Sequence, residues 1–170
     1  MTSVHHVSKQ MLKTTLSVLS KDINNNLDNT IKQQLKKQVE GLCYEDGYVL
    51  ENSVNIIQRN IGEIITRNNT SSVKYLITYE ADILSPTIGD QYNVFISNIN
   101  KMGIISFIKL KESDTHETSP LIIMIPKDYI DGSMLNIDDL FIGQSLDVII
   151  IGSREKFRSD KIQIIAKPIE

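Results

Sequence analysis

Three histidines, one cysteine and one pair of adjacent aspartates are where catalysis or metal binding would first be sought in this chain. His5 and His6 lie at the N-terminus and His116 in a polar loop, and none is assigned a catalytic or metal-binding role. Asp138 and Asp139 are adjacent rather than at a ligand-forming spacing, and the sequence predicts a short helix over Met134–Phe141 that holds them. Cys43 stands in a strand pattern with no histidine near it in sequence, which reads as a small buried core residue. As the only cysteine it excludes an internal disulfide and a cysteine-cluster metal site, and it points to a reducing compartment. There is no phosphate-cradling P-loop, no GxSxG and no HExxH. The chain reads as a non-enzyme, with no cofactor and no metal.

The remaining chemistry is contact. Between Gln58 and Ser72 the chain is polar and turn-rich, with Gly62, Asn68, Asn69, Thr70 and two serines, yet it carries Ile61, Ile64 and Ile65. A loop that exposes isoleucines is a contact surface. The other arrangement, in which they fold back under the protein's own sheet, is equally compatible with the residues alone. In the second half, Phe95 and Phe107 are the aromatic candidates for an open strand face, because Tyr92 shares its parity with Val94 and Ile96 and belongs to the core. Lys101, Lys109, Lys111, Arg154, Lys156 and Arg158 lie in or beside turns and would make a basic rim. Asp114, Glu117, Glu155 and Asp160 interleave with them, so a mixed solvated surface fits as well.

Holding these residues in place takes two small folds. Met11 to Val18 alternates as an edge strand. Ser20 offers an N-cap and Asp22 an acidic first turn to a helix with the stripe Ile23, Leu27, Ile31, Leu35 and Val39, stopped at Gly41. Its other faces are Asn, Gln and Lys, the pattern of a solvated helix packed on a sheet. Leu42–Tyr44 and Tyr48–Leu50 read as hairpin strands joined by Glu45-Asp46-Gly47, and Val54–Ile57 continues the sheet. Val73–Leu84 is a long strand with apolar residues on both parities, which predicts cover on both faces. Ser85-Pro86 then breaks the run and sets the expected boundary, with domains at 1–85 and 86–170. Beyond it come Gly-Asp, a strand, a turn ending at Gly103, a second strand, the polar loop Glu112–Ser119, "LIIMIPKDYI", and strands at Leu146–Ile151 and Lys161–Ala166. Five strands close most economically as a small Greek-key barrel of the OB type. The fold class is α+β.

Composition limits the partners. At 170 residues, 41% hydrophobic and 23% charged, the chain is an ordinary globular one, so disorder throughout is excluded. Lys and Arg balance Asp and Glu at 9 each up to Ser85, and stand at 9 against 12 beyond it. Phosphate neutralisation supplies most nucleic-acid affinity, so a chain with no basic half would hold RNA weakly or with help. No apolar run approaches the length of a membrane span, and the start lacks a signal-like apolar core, which predicts neither membrane insertion nor standard secretion. With 28 isoleucines, 13 asparagines and 14 lysines against 2 alanines and 4 arginines, AT-rich codons dominate, as in a protist or a large DNA virus.

In this order, the motifs "LKKQVEGLCYEDGYVL", "NIIQRNIGEII", "VKYLITYEADILSPTIGD" and "NVFISNINKMGIISFI" resemble the stalk subunit of multisubunit DNA-dependent RNA polymerases. That family comprises the seventh subunit of the eukaryotic enzyme and its archaeal counterpart. The resemblance covers nearly the whole chain, from Leu16 to Ala166. Its specificity lies in sequence order: Val-Glu-Gly before a hairpin, Val-Lys-Tyr opening a long strand, and a Pro-containing junction into Gly-Asp.

The resemblance implies an RNP-like N-terminal domain, a helix packed on an antiparallel sheet, whose tip loop docks on the large subunits of the polymerase core near the clamp. An OB-fold β-barrel contacting nascent single-stranded RNA would follow. On this reading the tip loop is 58–72: Ile61, Ile64 and Ile65 fill core pockets, Arg59, Asn60 and Glu63 make polar rim contacts, and Gly62 allows the sharp turn. RNA contact falls to Phe95, Lys101, Phe107, Lys109, Arg154, Lys156 and Arg158. It would be weak and salt-dependent, because positions commonly aromatic in such domains hold Met102, Ile105 and Met124. Catalysis would belong to the large subunits. In cellular polymerases the family member pairs with a smaller helical partner subunit, which a viral enzyme can dispense with. The expected location is the nucleus for a cellular form, and a cytoplasmic viral factory or the virion for a viral one. The competing reading is a freestanding OB-fold RNA-binding accessory factor in translation or RNA processing. A basic surface and an aromatic face would favour it, and this chain offers little of either.

Overall fold

The computed structural model describes residues 7–169, so His5 and His6 lie outside the described residues. The chain divides into two compact units: Val7–Gly41 with Val49–Ile83, and Leu42–Tyr48 with the chain from Leu84 onward.

In the first unit, β1 (Val7–Leu19) is longer than its alternation suggests, and a single 3-10 turn at Ser20–Asp22 follows it. The helix, α1, runs Leu27–Val39 and does not begin at Ser20 as expected. The reason is the run Asn24-Asn25-Asn26: Asn24 Oδ1 accepts from the Asn26 N–H at 2.8 Å, a local turn that competes with helical bonding. Ile23 is thereby left outside the helix and exposed. From Leu27 the stripe behaves as spaced. Ile31, Leu35 and Val39 are buried, each contributing roughly 1.5–3 kcal/mol of transfer free energy. Gln38 Nε2 donates to Thr14 Oγ1 and Thr15 O of β1, both at 3.2 Å. Gly41, at φ +72°, supplies the left-handed residue on which the helix stops.

β2 (Cys43–Tyr44) and β3 (Gly47–Val49) form a hairpin whose residues 43–48 belong to the second unit. In the first unit the sheet continues with β4 (Asn55–Arg59), β5 (Glu63–Arg67) and β6 (Thr70–Leu84), and β6 is hydrogen-bonded to β1, β4 and β5. Along β6, Tyr75, Ile77, Tyr79, Ala81 and Ile83 are buried, whereas Lys74 and Leu76 are exposed. Only one face is therefore sealed, against the expectation of cover on both. Lys74, Thr78, Glu80 and Asp82 make most of the other parity polar, with Leu76 and the terminal Leu84 its apolar members.

The segment 58–72 is also corrected: most of it is a two-stranded ribbon rather than a loop. Asn68 and Asn69 sit at φ +49° and +61°, the two positive values a type I′ hairpin turn requires, and close β5 onto β6. Arg59 lies opposite Ile77, and Glu63 lies opposite Lys74. β4 and β5 thus follow one another along the same edge of β6 as one long arm, broken by a bulge at Ile57 and a second at Ile61-Gly62.

In the second unit, β7 (Gln91–Asn100), β8 (Gly103–Phe107), β9 (Leu121–Pro126), β10 (Ser145–Arg154) and β11 (Ile162–Pro168) close into a barrel. The order is β10-β11-β9-β8-β7, with β10 returning to β7. All pairs are antiparallel except β9 with β11. This is the five-strand closure expected, with an OB-like connection. Tyr92, Val94, Ile104, Ile123, Val148 and Ile164 are among the buried core side chains. The helix expected over Met134–Phe141 lies earlier: α2 occupies Lys127–Asp131, and only a 3-10 turn forms at Ile137–Asp139. Pro126, with φ fixed at −59°, leads into α2, Ile130 anchors it and Gly132 ends it. Asn136 instead caps the 3-10 turn by accepting from the Asp138 N–H.

Candidate functional site

Two surfaces hold the residues singled out from the sequence, one on each unit. On the arm, Asn60 bridges the interruption between β4 and β5. Its N–H donates to Leu76 O at 3.2 Å, and its Oδ1 accepts from the Leu76 N–H at 2.9 Å. Gly62, at φ +92°, presses against Val73 and Tyr75. A Cβ there would collide with the Val73 methyl and lie 2.7 Å from the Tyr75 ring, so glycine is required on steric as well as conformational grounds. The bulge throws Ile61 outward until it is 96% exposed, and Ile64 is 74% exposed.

These side chains do not form one patch. Ile64 pairs with Val73 and shares the face of Tyr75 and Ile77, whereas Ile65 pairs with Ser72 on the reverse face and is half-buried. Leu76 is exposed on the reverse face. Glu63 is exposed opposite Lys74. Arg59 is engaged internally: its Nε and Nη2 both lie 3.1 Å from Asp28 Oδ1 on α1, and its guanidinium stands 5.4 Å from the centre of the Tyr75 ring. It braces the arm on the helix.

The barrel surface is organised by strand register. Phe95, Phe107, Ile122, Gln163 and Arg154 are consecutive partners across β7, β8, β9, β11 and β10. They form a row across four strand spacings, roughly 19 Å. Phe95 and Phe107 lie 6.1 Å apart between centroids, their rings tilted by 37°, and Lys109 Nζ lies 4.5 Å from the Phe95 centroid. Beyond the far end of the row, Arg154 and Lys156 line a groove with Ile122, Ser159, Asp160, Lys161 and Gln163. Lys101 is exposed in the turn between β7 and β8, away from the row. The parallel row beside it is aliphatic, Ile105, Met124 and Ile165.

Arg158 is held within the unit. Its guanidinium hydrogen-bonds the Tyr44 phenol, whose pKa burial nonetheless raises, and lies 5.7 Å from the Phe157 centroid. Its backbone N–H donates to Cys43 O at 2.7 Å, and Ser159 O accepts from the Cys43 N–H at 2.8 Å. This ties the hairpin of β2 and β3 to the segment between β10 and β11. Cys43 is fully buried there, and its thiol pKa is pushed up to about 11, first by burial and then by Glu155 and Asp160.

No protein-family model matches the chain. It is similar to a protein of Acanthamoeba polyphaga mimivirus, provisionally named a DNA-directed RNA polymerase subunit. The two are 28% identical over 172 residues, covering 94% of this chain and 80% of the relative. A match of that extent takes in both units.

Three residues of the barrel surface are not evident from the sequence. His116 lies edge-on to Phe107, with centroids 6.4 Å apart, and its Nδ1 is 3.2 Å from Ser97 Oγ. Lys161 donates to the carbonyls of His116, Glu117 and Ser119. Phe157 is 71% exposed against Tyr44. Only Phe157 carries a local signal, an aromatic between Lys156 and Arg158; the other two depend on contacts with residues distant along the chain. Among the described residues, no three His, Cys, Asp or Glu side chains are grouped to hold a metal, and no helix is long and apolar enough to cross a membrane.

Proposed function

We propose that this protein is a non-catalytic stalk subunit of a DNA-dependent RNA polymerase. One observation carries the reading: the likeness to the mimivirus protein provisionally named a DNA-directed RNA polymerase subunit extends over 94% of this chain, arm and barrel together. A likeness limited to the barrel would have supported nothing beyond a nucleic-acid module. In this reading the unit bearing the arm docks on the large subunits near the clamp, with Ile61 and Ile64 as its apolar anchors. Their exposure supports that role, since large aliphatic side chains left in solvent gain most by burial against a partner. Asn60, Gly62 and Arg59 hold the bulge that presents them, and Glu63 and Ile65 border the contact.

The OB-like barrel faces nascent RNA through Phe95, Phe107 and Lys109 at one end of its row and Arg154 and Lys156 at the other. Contact is weak, because the second unit is not basic and the neighbouring row is aliphatic. Phosphodiester chemistry belongs to the large subunits. The protein works where its polymerase does, in the nucleus of a cell or in a viral factory or virion, with or without a smaller helical partner.

The test is capture of tagged protein from native extract, wild type against a variant carrying Ile61→Asp and Ile64→Asp. Large polymerase subunits should accompany wild type only, while both proteins give the same circular dichroism. Failure of both to bring down polymerase, with equal binding of single-stranded RNA, would leave the freestanding RNA-binding factor as the better reading. The Phe95–Phe107 pair is the feature that favours that alternative.

A further inference from the structure

Phe107 points to the outside of the barrel, as the partner of Phe95, and yet it is only 9% exposed. His116, in the segment between β8 and β9, lies against its ring. The residues 111–118, Lys-Glu-Ser-Asp-Thr-His-Glu-Thr, include no apolar side chain, so this segment is not held down by hydrophobic burial. It is held by polar contacts at two points. Lys161 directs all three ammonium donors to it, at 3.3 Å to His116 O and 2.6 Å to both Glu117 O and Ser119 O. The His116 ring meets Phe107 in a T-shaped contact and reaches Ser97 Oγ through Nδ1. Ser97 Oγ also donates to Ile105 O at 3.0 Å, so its single proton is committed there and His116 Nδ1 is the donor.

The segment is also internally stiff. Asp114 Oδ2 accepts from the N–H groups of Leu110 and Lys111, both at 2.9 Å, and Thr118 Oγ1 accepts from the Thr115 N–H. A stiff, polar, externally latched segment opens as a body about its two ends.

We infer that residues 111–119 are a lid over the barrel's aromatic pair, latched by Lys161, with the His116 ring occupying the place where a base of single-stranded RNA would stack. This rests on the proposed RNA contact and adds its regulation. A flat heteroaromatic ring with a hydrogen-bonding edge is what a base would bring to Phe107, so ligand and lid compete for one site. The segment also carries Glu112, Asp114 and Glu117 against a single Lys111, a net negative charge that repels phosphate. Opening removes both obstacles.

The test is binding of fluorescein-labelled oligouridine to the full chain, followed by fluorescence anisotropy, for wild type, Lys161→Met and His116→Ala. Losing a cation ordinarily weakens RNA binding. The lid requires the opposite sign: Lys161→Met should bind about tenfold tighter, the scale of one base–aromatic stack. Adding Phe107→Ala should erase the gain. His116→Ala, which leaves the latch in place, should also bind tighter, and guards against misfolding of the lysine variant. Hydrogen exchange should speed up in 111–119 in Lys161→Met and stay unchanged in the strands. If wild type binds and both variants bind equally or more weakly, the lid is overturned while the RNA contact stands. If none of the three binds, the RNA contact fails and the lid with it.

Discussion

The arm and the barrel face treat their large apolar side chains in opposite ways. On the arm, Ile61, thrown outward by a bulge, and Ile64, paired in β5, stay exposed to water among the described residues. On the barrel, Phe107 stands at an outward position and is only 9% exposed, with His116 against its ring. The arm uses its local order for presentation: Gly62 packs tightly, Asn60 restores the ladder and Arg59 braces on Asp28. The barrel uses it for closure: Phe95 and His116 meet the Phe107 ring, and Lys161 holds the His116 segment by its carbonyls. A side chain left in water is free to contribute to binding; one already satisfied must first be released.

The contrast can be tested by substitution. The largest effect expected is on the arm: Ile61→Asp with Ile64→Asp should weaken polymerase association about a hundredfold or more, as for two anchor residues. The same variant's thermal midpoint should stay within about 2 °C of wild type, since exposed positions contribute little to folding. A variant that melted early would mean that the isoleucines hold the arm together, and the contrast would collapse. Next, Phe107→Ala should cost the barrel about 3 kcal/mol in urea unfolding, the range for a covered aromatic; a loss near zero would class Phe107 with the arm's isoleucines.

The third effect belongs to Cys43. Its folded pKa is raised from 9.0 to about 11, so the unfolded chain releases the thiol proton first. Stability should be intact below about pH 9 and fall by an amount on the order of 2 kcal/mol by pH 11. Cys43→Ala should remove that component of the alkaline slope, read by denaturant titration at each pH. The smallest effect is Arg59→Ala, about 0.5 kcal/mol, because its partner Asp28 is 86% exposed and solvent screens the pair.

The barrel is the more legible half in the sequence because its strands are bounded by residues that break structure, Pro86 before it, Gly103 at the first turn and Pro126 at the end of β9. The arm is harder to see because Asn68-Asn69 carries the polarity of a loop while also suiting two successive positive φ values. The start of α1 is obscured for a related reason, since Ile23 fits the helical period while Asn24 locally prevents it. On β6, the number of apolar residues hides that four of one parity are polar. Residue type is enough to find the candidates, but not their company. That Arg59 is engaged by Asp28 and Arg158 by Tyr44, and that Ile64 and Ile65 face apart, follows from register and long-range packing that no local pattern records.

Cys43 also gives the molecule a clock. The thiol is sealed where the β2–β3 hairpin is stitched to Arg158 and Ser159, and its raised pKa keeps it protonated at neutral pH. A thiol reagent can react only while that seam is parted. The labelling rate of this single cysteine therefore times the opening of one seam with no engineered probe, and a slowing on assembly would tell whether a partner holds it shut.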